Sequence, residues 1–277
     1  MPDTDASNSQ SVATAEAKRR DPKLGLQLLL LLDVFVRLFV WCSSLALTVA
    51  LFTRLKAWPD RQFAGADLGL AWLWGQKLGQ LVLLYNLIYI AHLLVLRLLI
   101  PTPKEGRYDA RGGKLDRQVL CSGLLSTLTK ARLQAPFPAF LVFHVANLPP
   151  MSWLMGPIFG PQSRSCYVTD PCIPDPHLVN IGRNVVIGFG SAIAAHFQEG
   201  DFVHIRRTVI EDDVLIGGFS GMAGVHIKKG AVIAGGSILL PGSVIGENEY
   251  WSGNPARRRR VLPPPGQRGQ EPLLAGE

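Results

Sequence analysis

Aliphatic residues return at every sixth position through the second half of this 277-residue chain. Ile181, Ile187 and Ile193 open the series, Ile210, Ile216 and Met222 continue it, and Ile227, Ile233, Leu239, Ile245 and Trp251 close it. An amphipathic helix repeats its apolar face every 3.6 residues and a half-buried strand every 2, so neither produces this spacing. Three short strands around a triangular prism do, with each anchor pointing into a core shared by stacked coils. Gly182, Gly188, Gly217, Gly235 and Gly246 follow the anchors, near the corners where the backbone needs unusual angles or close approach. The rhythm breaks twice: seventeen residues separate Ile193 from Ile210, and five separate Met222 from Ile227.

This rhythm, together with the closing phrase YWSGNPARR at 250–258, resembles the hexapeptide-repeat acyltransferase superfamily. The resemblance implies a left-handed parallel β-helix over 161–260. The segment AHFQEGDFVHIRRTVIEDDVLIGGFSGMAGVHIKKGAVIAGGS is also similar to the membrane-bound C-terminal modules of polylysine-synthetase-like non-ribosomal peptide synthetases. In such enzymes a histidine leaving a coil acts as general base while an amine or hydroxyl attacks a thioester. His196 matches that position, and an imidazole titrating near neutrality suits the task.

The long break, AAHFQEGDFVHIRRTV, also holds Glu199, Asp201 and His204. Glu199 or Asp201 is expected to orient the His196 ring, and His204 is a second catalytic candidate or a strand residue facing a cleft. His226, beside the short break, borders the same cleft in this reading. Gly218 and Gly221, with Gly217, are candidate backbone donors to a developing oxyanion. Lys228, Lys229 and the run Arg257–Arg260 would meet the phosphates of a phosphopantetheine arm or form a solvated basic face. The donor implied is acyl-CoA or a carrier-protein-bound phosphopantetheine thioester, with no tightly bound cofactor. No serine nucleophile motif is present, so the acceptor is expected to attack directly. Zinc enzymes of the gamma-carbonic-anhydrase type share the fold, but Phe189 stands where their repeat needs a histidine, which makes that alternative the weaker one. A non-catalytic β-helix scaffold within a membrane complex is the alternative from another class.

The first half is written in a different grammar. LGLQLLLLLDVFVRLFVWCSSLALTVALF at 24–52 and VLLYNLIYIAHLLVLRLLI at 82–100 are long enough to cross a hydrocarbon core of about 30 Å. Asp33 and Arg37 are spaced to pair on one helical face. His92 reads as a packing residue. The stretch 136–160 is apolar but broken by Pro138, Pro149, Pro150 and Pro157, and is expected to dock on the membrane interface rather than span it, with His144 a weak functional candidate. Residues 104–134 are expected to form a cytoplasmic surface helix and loops.

Composition agrees. Charged residues make up 18% of the chain, fewer than a soluble protein carries, and the net charge of +7 lies in clusters beside the apolar runs. That placement argues against a nucleic-acid binder. The four cysteines suggest no disulfide framework. The chain is therefore expected to be an α + β membrane protein: a disordered tail over 1–20, a membrane domain over 21–160, the β-helix over 161–260 on the cytoplasmic face, and a flexible tail over 261–277. Expected partners are the lipid bilayer, a small-molecule or peptide acceptor, a carrier protein or synthetase, and further copies of the chain in a homotrimer or larger assembly.

Overall fold

The computed structural model describes residues 22–55, 68–109, 116–133, 163, 165–168 and 172–268. The N-terminal tail, the proline-broken stretch at 136–160 with His144, and residues 269–277 lie outside them. From Tyr167 onward the described chain winds into the expected prism. One face stacks Tyr167–Val168, Val186–Ile187, Leu215–Ile216, Val232–Ile233 and Glu249–Gly253 in parallel, and a second stacks Val179–Ile181, Thr208–Ile210, His226–Ile227 and Val244–Ile245. The third face carries Ala192–Ala194 beside Gly221–Ala223.

Register explains the core. Ile187, Ile216, Ile233 and Trp251 stand directly above one another, as do Ile181, Ile210, Ile227 and Ile245, and Ile193 faces Met222. Every aliphatic anchor in the series is buried, and Trp251 packs against them. Each buried isoleucine contributes roughly 1.5–3 kcal/mol from apolar area removed from water. Corners are set by small residues. A Cβ on Gly188 would lie 2.3 Å from the Gly218 nitrogen, and one on Gly217 would lie 2.3 Å from the Gly235 nitrogen, so successive coils touch backbone to backbone there. The buried hydroxyls of Ser191 and Ser220 each donate to a carbonyl of their own coil and one of the next.

The long break is a hairpin arm, His196–Glu199 paired antiparallel with Phe202–Ile205. The short break turns at Gly224, whose φ of 58° is a left-handed conformation, with Arg206 packed over it. The last coil ends in the strand Ala256–Val261, which folds back antiparallel on Glu249–Gly253. Leu262 is buried and Arg268 donates to the Gly230 carbonyl, so the described chain packs against the last coils as far as Arg268.

Three helices precede the prism: α1 (Pro22–Arg54), α2 (Leu68–Leu99) and α3 (Arg117–Leu133). α1 and α2 are long and apolar enough to cross a membrane, and their apolar side chains, Leu31, Phe35, Trp41, Leu83 and Leu87 among them, lie largely exposed. α2 begins well before the expected 82. The preceding LGLAWLWGQKLGQ contains no proline, and neither Gly75 nor Gly79 interrupts the helix. Where α1 and α2 meet, Val40, Tyr89 and Leu93 are buried, and the Ser43 and Ser44 hydroxyls lie 3.3 and 3.2 Å from His92 Nδ1, giving that histidine the packing role expected. Asp33 and Arg37 pair at 2.9 Å. α3 packs on both long helices and on the turn Pro176–Leu178 that leads into the prism. It is therefore a bridge between the halves and not only a surface helix.

Candidate active site

His196 is the first residue of the arm, where the chain leaves the third face. Its Nδ1 lies 2.5 Å from Asp175 Oδ2. Asp175 sits in the turn just before the strand Val179–Ile181, so one circuit of the chain separates the pair in sequence and closes it in space. The Asp175 side chain is 1% exposed and the His196 side chain 44%. The carboxylate also accepts the Ala195 N–H at 3.0 Å and the Ser126 hydroxyl of α3 at 2.8 Å. Burial alone pushes the Asp175 carboxyl up, but hydrogen bonding to His196, its charge, and the two further donors outweigh this and hold it below its ordinary value. An ionised carboxylate beside Nδ1 selects the tautomer with its proton on Nδ1, which makes Nε2 the basic nitrogen of the ring.

Glu199 does not reach this ring. In the arm, His196 stands opposite Ile205, Phe197 opposite His204, and Glu199 opposite Phe202. Alternation along the strand puts residues 197 and 199 on the face turned away from His196. Glu199 approaches His204 instead, at 3.3 Å, while His204 stacks on Phe197 with centroids 4.8 Å apart. The carboxylate expected from Glu199 or Asp201 is supplied by Asp175. Its signal in the sequence was its distance, about one prism circuit before the histidine, within a proline-rich phrase that matches no motif.

His177, two residues after Asp175, is a further group that sequence reasoning passed over. Both ring nitrogens are shielded from water without a hydrogen-bond partner among the described residues. Burial drives its pKa from 6.5 down to about 4, against the pull of Asp175 and helped by Arg97, His196 and Arg207. It stays neutral beside the pair and does not compete for the Asp175 charge.

The remaining candidates form a second group. His226 Nε2 lies 2.6 Å from Glu211, whose other oxygen accepts the Lys229 backbone N–H at 3.0 Å. This cluster occupies the second face, beside an open cavity of about 630 Å³ lined by Ile181, Gly182, Arg183, Glu211, Asp212 and Lys229. The Lys228 backbone N–H donates to the Ile245 carbonyl. Gly217 and Gly221 are spent as oxyanion donors, because their N–H groups bond the Ile233 and Ser237 carbonyls of the next coil. A stacked prism uses these donors to join its coils. Gly218 is a close-packing position, its missing Cβ falling 3.0 Å from the Phe189 carbonyl oxygen. Phe189 itself packs edge-to-face on Phe219 of the next coil. Among the described residues, no three histidine, cysteine or acidic side chains converge as a metal site would need.

Residues 207–241 match the family model for the hexapeptide repeat of succinyl-transferase. Among curated proteins, the chain is 28% identical over 127 residues to a putative acetyltransferase, YvoF, of Bacillus subtilis, covering 43% of this chain and 73% of that protein. It is 31% identical over 93 residues to the mitochondrial gamma carbonic anhydrase 2 of Arabidopsis thaliana, covering 32% of this chain and 34% of that one. Among solved structures, a hexapeptide-repeat acetyltransferase of Vibrio cholerae complexed with acetyl coenzyme A matches at 18% identity and TM-score 0.37, over 53% of this chain and 90% of that one. A maltose O-acetyltransferase of Clostridium difficile matches at 16% and TM-score 0.35, over 50% and 83%.

Proposed function

We infer, on the premise that this chain is a hexapeptide-repeat acyltransferase, that it moves an acyl or aminoacyl group from a phosphopantetheine thioester to an amine or hydroxyl acceptor, with His196 as general base. The observation that carries this is the half-exposed His196 held at 2.5 Å by a carboxylate that is itself buried. His196 Nε2 removes the acceptor's proton as its oxygen or nitrogen attacks the thioester carbonyl. The tetrahedral intermediate then collapses, the carbon–sulfur bond breaks, and the thiolate takes the proton back from His196. Asp175 stabilises the imidazolium between the two transfers.

The donor is acyl-CoA or a carrier-protein thioester, the latter resting on the resemblance to synthetase modules alone. Lys228, Lys229 and Arg257–Arg260 are the cations offered to its phosphates, and the cavity beside Glu211 lies on the same face as His226. α1 and α2 anchor the chain in the bilayer, with the left-handed prism on the cytoplasmic face and the assembly a homotrimer or larger. A scaffold would not require a carboxylate within hydrogen-bond reach of His196, so the pair favours catalysis. The test is transfer of label from acetyl-CoA and longer acyl-CoAs by the purified full chain. His196→Ala is expected to lower the rate roughly 10²–10⁴-fold, the usual worth of a general base. Unchanged turnover in that variant removes His196 from the mechanism.

A further inference from the structure

The His196–Asp175 pair is fastened to the helical half of the molecule from two sides. From α3, Ser126 donates to Asp175 while its neighbour Thr127 turns the other way and donates to Asp33 of α1. From the other side, the strand Gly106–Asp109 pairs with Phe202–Ile205, which pairs in turn with His196–Glu199. Strands two places apart in a sheet are separated by about 10 Å. The strand at 106–109 starts shortly after α2 ends at Leu99, a connection that reaches at most roughly 25 Å.

The same junction is cationic and aromatic. Lys104 and Arg107 are exposed on the segment leaving α2, and the Arg107 guanidinium lies 3.6 Å over the Phe202 ring of the arm. Arg207 pairs with Glu105 across the same seam. Cations beside aromatic rings at the end of an apolar helix fit a phosphate-bearing headgroup at a bilayer surface.

We propose that the acceptor is the hydroxyl or amine of a phosphate-bearing membrane amphiphile, presented to His196 from the bilayer surface at the junction of α2, α3 and the arm. This rests on the acyltransferase reading and goes beyond it by naming the substrate class. Such an acceptor stays in the membrane, its headgroup oxygen or nitrogen gains the acyl group, and the free thiol of the donor leaves into water.

The full chain is reconstituted in vesicles of bacterial total polar lipids and supplied with radiolabelled acetyl-CoA, beside a parallel panel of water-soluble sugars and amino acids. Label is expected in the chloroform-extractable lipid and is lost in His196→Ala. When the acceptor lipids are diluted into inert phosphatidylcholine at constant bulk concentration, the rate is expected to follow their surface fraction. Arg107→Ala is expected to raise the apparent KM for surface acceptor several-fold with little change in kcat. Label confined to water-soluble acceptors overturns the proposal and leaves the acyltransferase reading intact. Absence of transfer to every acceptor, with no thiol released, overturns both.

Discussion

At the scale of single residues, the site depends on how a buried charge is kept. Asp175 is removed from water and remains ionised because three donors, from His196, Ala195 and Ser126, face it. Asp175→Asn retains much of the shape but lets the Nδ1 tautomer change, and kcat is expected to fall on the order of 10²–10⁴-fold. Ser126→Ala removes the hydroxyl that the Asp175 carboxylate shares with the Pro174 carbonyl, a hydrogen bond worth up to about 1.5–3 kcal/mol where its acceptor is charged. It is expected to move the acidic limb of the pH–rate profile more than it moves KM, and Ser126→Thr to restore the limb. His177 makes a separate prediction. Its folded pKa of about 4 lies below the unfolded value of 6.5, so the unfolded chain binds the extra proton first as pH falls. Stability is full above pH 6.5 and declines by roughly 3 kcal/mol on acidification through pH 4. Asp175, also depressed, adds to the loss at lower pH. His177→Leu should flatten the upper part of that decline, measured as Tm against pH.

At the scale of elements, the prism was legible because its rule is local and repeated. A step of six reports which side chain points inward, and the two breaks in it mark the arm and the turn at Gly224. Which carboxylate faces His196 was not legible. That depends on strand alternation within the arm and on vertical neighbours between coils, and linear proximity favoured Glu199. The glycines likewise divide by role only in three dimensions, since Gly188 and Gly217 are required for backbone contact and Gly224 for its positive φ. Gly217→Ala places a methyl 2.3 Å from the Gly235 nitrogen, where backbone cannot yield as a side chain would. The expected cost is at least 1–3 kcal/mol, read as a lowered Tm. Ile216→Ala, at the centre of a ladder, is expected to cost about 2–5 kcal/mol. A drop below 1 kcal/mol in either variant would contradict the register described.

At the scale of the whole molecule, α3 joins what the sequence divides. Reading by composition separated a membrane half from a repeat half and treated the segment between them as surface. Its hydroxyls do not form an apolar pattern, yet Ser126 and Thr127 each find a partner in a different half. If α1 and α2 span the bilayer, the chain should stay in the membrane pellet after alkaline carbonate washing and leave it only with detergent; release by carbonate would show peripheral attachment. The single circuit separating Asp175 from His196 has one more consequence. A chain whose first coil has not closed holds a solvated aspartate and an undirected imidazole, neither of which can activate an acceptor. On the acyltransferase reading, chemical competence doubles as a report of assembly, and activity lost reversibly in mild denaturant would register the opening of that coil before the rest of the prism gives way.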